Sequence, residues 1–224
     1  MKIAALLSTN GSVLRSTLEY SSEKVDLIIT DRECKANKIS LEKNIPSIRI
    51  EASNSPEKLS KELLLILIEN KIDYLLLFYT KLLSMKVLTK YRKRIINFHP
   101  SILPSFPGLN GFNESIESES LFIGSTVHFI DDGIDTGPHI LQCKTHNYGQ
   151  PKREIRHIIF SQQVASLAQT LKSIRRDEFA PHSKKKFKKL DYSDDNSFSC
   201  PKLDRESLEL YWRILNEKKI QRNH

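Results

Sequence analysis

Cysteine is scarce in this chain and poorly placed for chemistry. The three cysteines, Cys34, Cys143 and Cys200, are odd in number and far apart, which excludes a redox pair and a cysteine-based metal site. Cys143, inside the apolar run Ile140-Leu141-Gln142-Cys143, reads as a buried thiol. The histidines His139, His146, His157 and His182 show no pairing at metal-ligand spacing. No apolar run approaches the length of a bilayer span. The opening Met1-Lys2-Ile3-Ala4-Ala5-Leu6-Leu7 is too short for a secretory leader and has no cleavage pattern, and reads as a first strand. These absences predict a cytoplasmic protein with no membrane partner. The turn near the N-terminus lacks the lysine of a Walker loop, and no full dinucleotide fingerprint is present.

The 224 residues, 39% of them apolar and 28% charged, suffice for one sizeable α/β domain or two small ones. The net charge of +8 favours an anionic partner. Much of that excess is concentrated in Lys184-Lys185-Lys186-Phe187-Lys188-Lys189, which reads as a solvated basic tail. Few aromatics interleave with these lysines and no nucleic-acid-binding signature is visible. An anionic small substrate accounts for the field as well as a polyanion does, so nucleic acid is not the expected partner.

Short apolar runs at residues 3–7, 25–30, 47–50, 74–78, 95–98, 124–130 and 140–144 predict strands. A helix-compatible stretch follows the first run to Tyr20. Pro56 opens a helix to Asn70 with Leu59, Leu63, Ile66 and Leu67 on one face. A long helix is predicted over residues 151–174 and an amphipathic one over 205–216, while the polar residues 192–199 predict an exposed loop or hairpin. Strand and helix alternate in the first half, which predicts parallel pairing; the second half reads as antiparallel strands plus a helix. The expected fold is α/β: one mixed, mostly parallel twisted sheet with helices on both faces.

Three places carry chemistry. Ser8-Thr9-Asn10-Gly11-Ser12 lies between strand one and helix one, where backbone N–H groups at a helix N-terminus can receive an anion; the same residues also suit an ordinary Asn-Gly turn with Ser12 as N-cap. Asn97 and His99, two residues apart on a strand, project to one side and can converge on a single substrate oxygen. Asp135 sits in Asp132-Gly133-Ile134-Asp135-Thr136-Gly137-Pro138, an irregular loop that can aim a carboxylate at an imidazole; Asp131 and Asp132 compete with it or serve as turn residues. No serine or cysteine nucleophile accompanies them. A donor amide, a cation-capable ring and a carboxylate suit attack of a substrate amine on an activated carbonyl. His128, central in an apolar strand, reads as a hydrogen-bonded structural residue near that site.

The segments Asn97-Phe98-His99-Pro100-Ser101-Ile102-Leu103-Pro104, Pro107-Gly108-Leu109, residues 124–138 and Ile140-Leu141-Gln142 closely resemble the folate-dependent formyltransferases, and Leu7-Ser8-Thr9-Asn10-Gly11-Ser12 resembles a phosphate loop of that family. The resemblance covers residues 1–175 and is nearest to the members acting on glycinamide ribonucleotide in purine biosynthesis. It implies 10-formyltetrahydrofolate as donor, no metal, and formyl transfer to the amine of an anionic acceptor through a tetrahedral intermediate. A nucleotide-linked amino sugar is the alternative acceptor and hydrolysis of the folate a further one. By resemblance Asn97, His99 and Asp135 are catalytic. Lys81, Leu82 and Leu83 together with Ile130, Asp131, Asp132, Gly133 and Ile134 bind the folate. Asn10, Gly11, Ser12, Val13, Pro100 and Gln163 bind the acceptor, and Leu103-Pro104 is a cis peptide. Val13 stands where the nearest members have Asn, Gln163 where they present a Glu, and Lys81 where they carry Arg. Residues 1–95 would then form the acceptor-phosphate half, 96–180 the catalytic and folate half, and 181–224 a basic loop with a C-terminal helix. A homodimer stays open.

Overall fold

The first apolar run becomes a strand buried on both faces, β1 (Ile3–Leu7), as a strand must be when helices cover both sides of a parallel sheet. In this computed structural model, which describes residues 1–51, 55–79, 81–179 and 198–220, β1 pairs in parallel with β2 (Leu27–Thr30) and β4 (Tyr74–Phe78). The parallel half extends to β3 (Ser47–Arg49) beyond β2 and to β5 (Ile95–His99) beyond β4. β6 (Phe122–Phe129), β7 (His139–His146) and β8 (Ser199–Cys200) then add antiparallel strands, giving one eight-stranded sheet in the order β3-β2-β1-β4-β5-β6-β7-β8.

The pleat of β1 divides the core between the two faces. Ile3, Ala5 and Leu7 pack into a cluster with residues of α1 (Ser12–Tyr20), α2 (Asn37–Lys43), α6 (Lys152–Arg175) and α7 (Arg205–Ile220). Ala4 and Leu6 face the other way, onto α3 (Pro56–Glu69) and α4 (Met85–Lys90). α3 starts where Ser55 accepts a hydrogen bond from the Lys58 N–H and Pro56 occupies the first helical position. The chain winds outward from β1 through β2 and β3, then returns to the other side of β1 with β4. That reversal opens a crevice outside the carboxyl ends of β1 and β4, where open α/β sheets bind ligands.

The expected mixed α/β sheet is therefore present, with the parallel and antiparallel halves as anticipated. Four elements were not anticipated: α2, α4, β8 and α5 (Gly111–Glu117). The three helices span seven residues or fewer, too short for an apolar period to stand out against loop sequence. The polar stretch at 192–199 does not end as an exposed loop, because Ser199 is buried and pairs with Cys143 in the sheet; residues 192–197 and the lysine run 184–189 lie outside the described residues. Cys143 is fully buried, and burial pushes its thiol up to about 12. The Leu103-Pro104 peptide is cis.

Candidate active site

Asn97 and His99 stand at the end of β5, and β6 runs antiparallel beside them with His128 opposite Asn97 and Thr126 opposite His99. Two β-bridged histidines and an amide thus share one end of the sheet before any loop contributes. The loop after β6 supplies Asp135, whose φ of 55° lies in the left-handed region. It aims the carboxylate back at both rings: Oδ2 is 3.3 Å from His99 Nδ1 and Oδ1 is 3.4 Å from His128 Nε2. The Gly108 N–H donates to Oδ2 at 2.7 Å. Hydrogen bonding by His128, then the Gly108 N–H and the field of His99, outweigh the upward push of burial and lower the Asp135 carboxyl to about 2.

Each ring nitrogen of His99 faces an acceptor, Nδ1 the Asp135 carboxylate and Nε2 the Phe106 carbonyl oxygen at 2.9 Å. The ring is buried, and Gly111 presses on it: a Cβ there would lie 2.6 Å from His99 Nε2 and 2.3 Å from the Phe106 oxygen. His128 is fully buried, with Nδ1 2.9 Å from the Phe129 carbonyl and Nε2 3.3 Å from Asn97 Nδ2. Asn97, His99, His128 and Asp135 therefore form one connected polar group, in which the structural reading of His128 becomes a bridge between the other members.

Asn97, His99 and Asp135 line a cleft of about 1050 Å³, with His128 buried behind them. One wall carries Lys81, Leu82, Leu83 and all of Ile130, Asp131, Asp132, Gly133 and Ile134. Lys81 is steadied there by Asp31, 3.7 Å away at the end of β2. Burial of the Asp31 carboxyl is outweighed by Arg32, which donates from Nε and Nη2 at 3.0 and 2.7 Å, and by the field of Lys81, so its pKa lies below the usual range. The opposite wall carries Thr9, Ser12, Val13, Pro100 and Gln163, whose Nε2 donates to the Phe98 carbonyl at 3.1 Å. Leu82, Met85, Leu109 and Ile134 rim the cleft and are all more than half exposed, an apolar rim that suits a flat aromatic ligand.

The loop before α1, expected to hold the acceptor, differs from that expectation at two positions. Gly11, not Ser12, occupies the N-cap of α1, with φ 60°, and a Cβ there would stand 2.8 Å from Ile39 Cδ1. Gly11 is buried behind the loop, and neither it nor Asn10 is among the cleft-lining residues; Thr9 takes their place. Ser12 is the first helical residue. Sequence reasoning also missed Arg156, Ile159 and Phe160, which line the cleft together with Phe112. Positions 156, 159, 160 and 163 are one face of a helix, a spacing that would have grouped the other three with Gln163. Arg156 lies over the Phe112 ring, 4.1 Å from its centroid. Among the described residues no His, Cys, Asp and Glu cluster could hold a metal ion, and no helix is long and apolar enough to cross a membrane.

The family model described as formyl transferase matches residues 1–150. The phosphoribosylglycinamide formyltransferase of Bacillus subtilis (strain 168) is 32% identical over 150 residues, covering 63% of this chain and 77% of that protein. The phosphoribosylglycinamide formyltransferase of Mycobacterium tuberculosis (strain ATCC 25618 / H37Rv) is 28% identical over 148 residues, covering 63% of this chain and 69% of the other. Among solved structures, phosphoribosylglycinamide formyltransferase from Bacillus halodurans superposes with a TM-score of 0.70 at 27% identity, over 78% of this chain and 95% of that one.

Proposed function

The chain belongs to the formyl transferase family, and from that premise we propose that it moves a formyl group from 10-formyltetrahydrofolate to the primary amine of glycinamide ribonucleotide, a step of purine biosynthesis. The observation that carries this reading is the convergence of Asn97, His99 and Asp135 in the middle of a cleft with two dissimilar walls. The apolar-rimmed wall of residues 81–83 and 130–134 fits a pterin and its aromatic extension. The opposite wall, at the N-terminus of α1, fits a phosphate-bearing acceptor.

In this reading the acceptor nitrogen bonds to the formyl carbon and the carbonyl electron pair moves onto oxygen. Asn97 Nδ2, beside His128 Nε2, presents an N–H to the developing oxyanion next to the His99 ring. Asp135 holds His99 in orientation and, through a water, takes the proton that the amine releases. That proton returns to the folate nitrogen as its bond to the formyl carbon breaks, so the reaction closes without an external acid or base. Lys81 and Leu83 hold the donor, and Ser12, Val13, Pro100 and Gln163 hold the acceptor.

The test is turnover with 10-formyltetrahydrofolate and defined amines, followed by release of tetrahydrofolate. Turnover with glycinamide ribonucleotide supports the reading. Turnover confined to a nucleotide-linked amino sugar moves the acceptor assignment, and tetrahydrofolate release without any amine makes the protein a hydrolase.

A further inference from the structure

Val13 and Phe160 line the acceptor side of the cleft, yet they are not free-standing wall residues. Both pack from behind against a separate buried cluster of Val164 and Ala168 from α6 with Leu210 and Ile214 from α7. α7 is fixed to this position at several points. Asp204 Oδ1 accepts from the Ser207 N–H at 2.8 Å at its start, and Lys172 Nζ clamps Asp204 and Glu206 at 3.1 and 2.7 Å. Further along, the Arg213 guanidinium lies over the Tyr20 ring at 4.5 Å, and His157 Nε2 lies 3.2 Å from the Leu215 carbonyl. α7 therefore ties the end of α1 to the beginning of α6, the two helices whose residues form the acceptor wall. Thr17 stands between those helices, its hydroxyl oxygen 2.9 Å from the Val13 carbonyl and 3.2 Å from the Val164 carbonyl.

The other wall has a different support. Leu83 and Ile130 pack against the cluster on the opposite face of the sheet, formed with α3 and α4, in which α7 takes no part. The match to the family model ends at residue 150, before α6 and α7 begin. We propose that α7, through Leu210 and Ile214, positions the acceptor wall of the cleft, so that this C-terminal helix governs acceptor binding while leaving donor binding to the other core. The inference rests on the acceptor assignment above for its kinetic form, and on the packing alone for its physical form.

The experiment uses the full chain with Ile214→Ala and, separately, Leu210→Ala. Truncation opens space behind Val13 and Phe160, and the wall relaxes into it. The expected result is a KM for the amine acceptor raised at least about fivefold with the folate KM held within about twofold, and near wild-type values in the volume-conserving Ile214→Leu. Hydrogen exchange without substrates should quicken in α1 and in residues 156–164 and stay unchanged in β4 and β5. Equal rises in both KM values, or a folded Ile214→Ala with unchanged acceptor KM and unchanged α1 exchange, would overturn the proposal. Absence of wild-type turnover with glycinamide ribonucleotide would sink the functional reading alone, and the exchange pattern would still decide this one. If Ile214→Ala does not fold, Ile214→Val is read in the same way, with an expected acceptor shift of about twofold.

Discussion

His99 and Asp135 meet Nδ1 to Oδ2 at 3.3 Å, while the other oxygen of the same carboxylate reaches His128 Nε2 at 3.4 Å. One carboxylate therefore orients two rings, and through His128 it also reaches Asn97. Asp135→Asn retains the shape and removes the charge; it is expected to lower kcat by at least about 100-fold, the scale of a lost general base or oriented donor. His99→Ala should cost as much. Because the residues act as one group, the double variant should lose little more than either single one. Steady-state kinetics on the three proteins checks this, and rates near wild type in both single variants would remove the assigned roles.

The same carboxylate sets an acid limit on stability. Its folded-state pKa, about 2, lies below the ordinary aspartate value. A carboxyl with a depressed folded pKa contributes its stabilisation fully above the unfolded pKa, and that contribution disappears as pH falls through the folded one. The window is therefore pH 4 down to pH 2, and the contribution at neutral pH is on the order of 2 kcal/mol. Asp135→Asn should be less stable than wild type at pH 6, and the gap between the two proteins should shrink towards pH 2. Urea unfolding at several pH values measures both, and a gap independent of pH would contradict the assignment.

The parts of this site that were legible in the sequence are those fixed by strand geometry. Asn97 and His99 announce themselves because an i, i+2 pair on a strand shares a side, and the apolar runs at β1 and β4 because strands covered on both faces admit few polar residues. Less legible were contacts that depend on how loops close. The withdrawal of Gly11 behind the acceptor loop follows from Ile39 on α2, a helix too short to show a period. The bridging place of His128 follows from the register between β5 and β6, which pairs it with Asn97, and register is a property of two strands rather than one. Arg156 was hidden because its partner is the ring of Phe112, on a short helix that the sequence reads as irregular chain.

Gly111 is the loop contact that presses directly on the His99 ring. A methyl group there would meet the Phe106 carbonyl oxygen at 2.3 Å and His99 Nε2 at 2.6 Å, both far inside contact distance. Gly111 begins α5, with helical neighbours to its C-terminal side, so the backbone conformation accepts alanine and the cost falls on the neighbours. Gly111→Ala should displace the His99 ring or the Phe106 turn and lower kcat by about 10-fold or more, as small misplacements of a reacting group do. Stability should fall as well, by about 1–3 kcal/mol, because the nearest neighbour is a backbone oxygen rather than the end of a flexible side chain. Comparison of kcat with thermal unfolding separates the two effects; unchanged kcat would show that the ring does not need its observed position.

The clamp that holds the C-terminal helix is centred on Lys172. Lys172 is nearly buried, and its ammonium meets Asp204 Oδ1 and Oδ2 at 3.1 Å each and Glu206 Oε2 at 2.7 Å. Burial, which lowers its pKa, is outweighed by hydrogen bonds to Glu206 and Asp204, so the amine stays charged above its ordinary range. Lys172→Met keeps the stem but leaves two neighbouring carboxylates without their cation. Removing one partner of a fully buried pair costs about 3–5 kcal/mol. Here Glu206 is 75% exposed and can turn to water, so the expected loss is smaller, about 2 kcal/mol. Adding Glu206→Gln removes the like-charge contact with Asp204 and should recover part of it. Urea midpoints of the single and double variants test the clamp, and a Lys172→Met protein as stable as wild type would show that α7 is held by its apolar face alone.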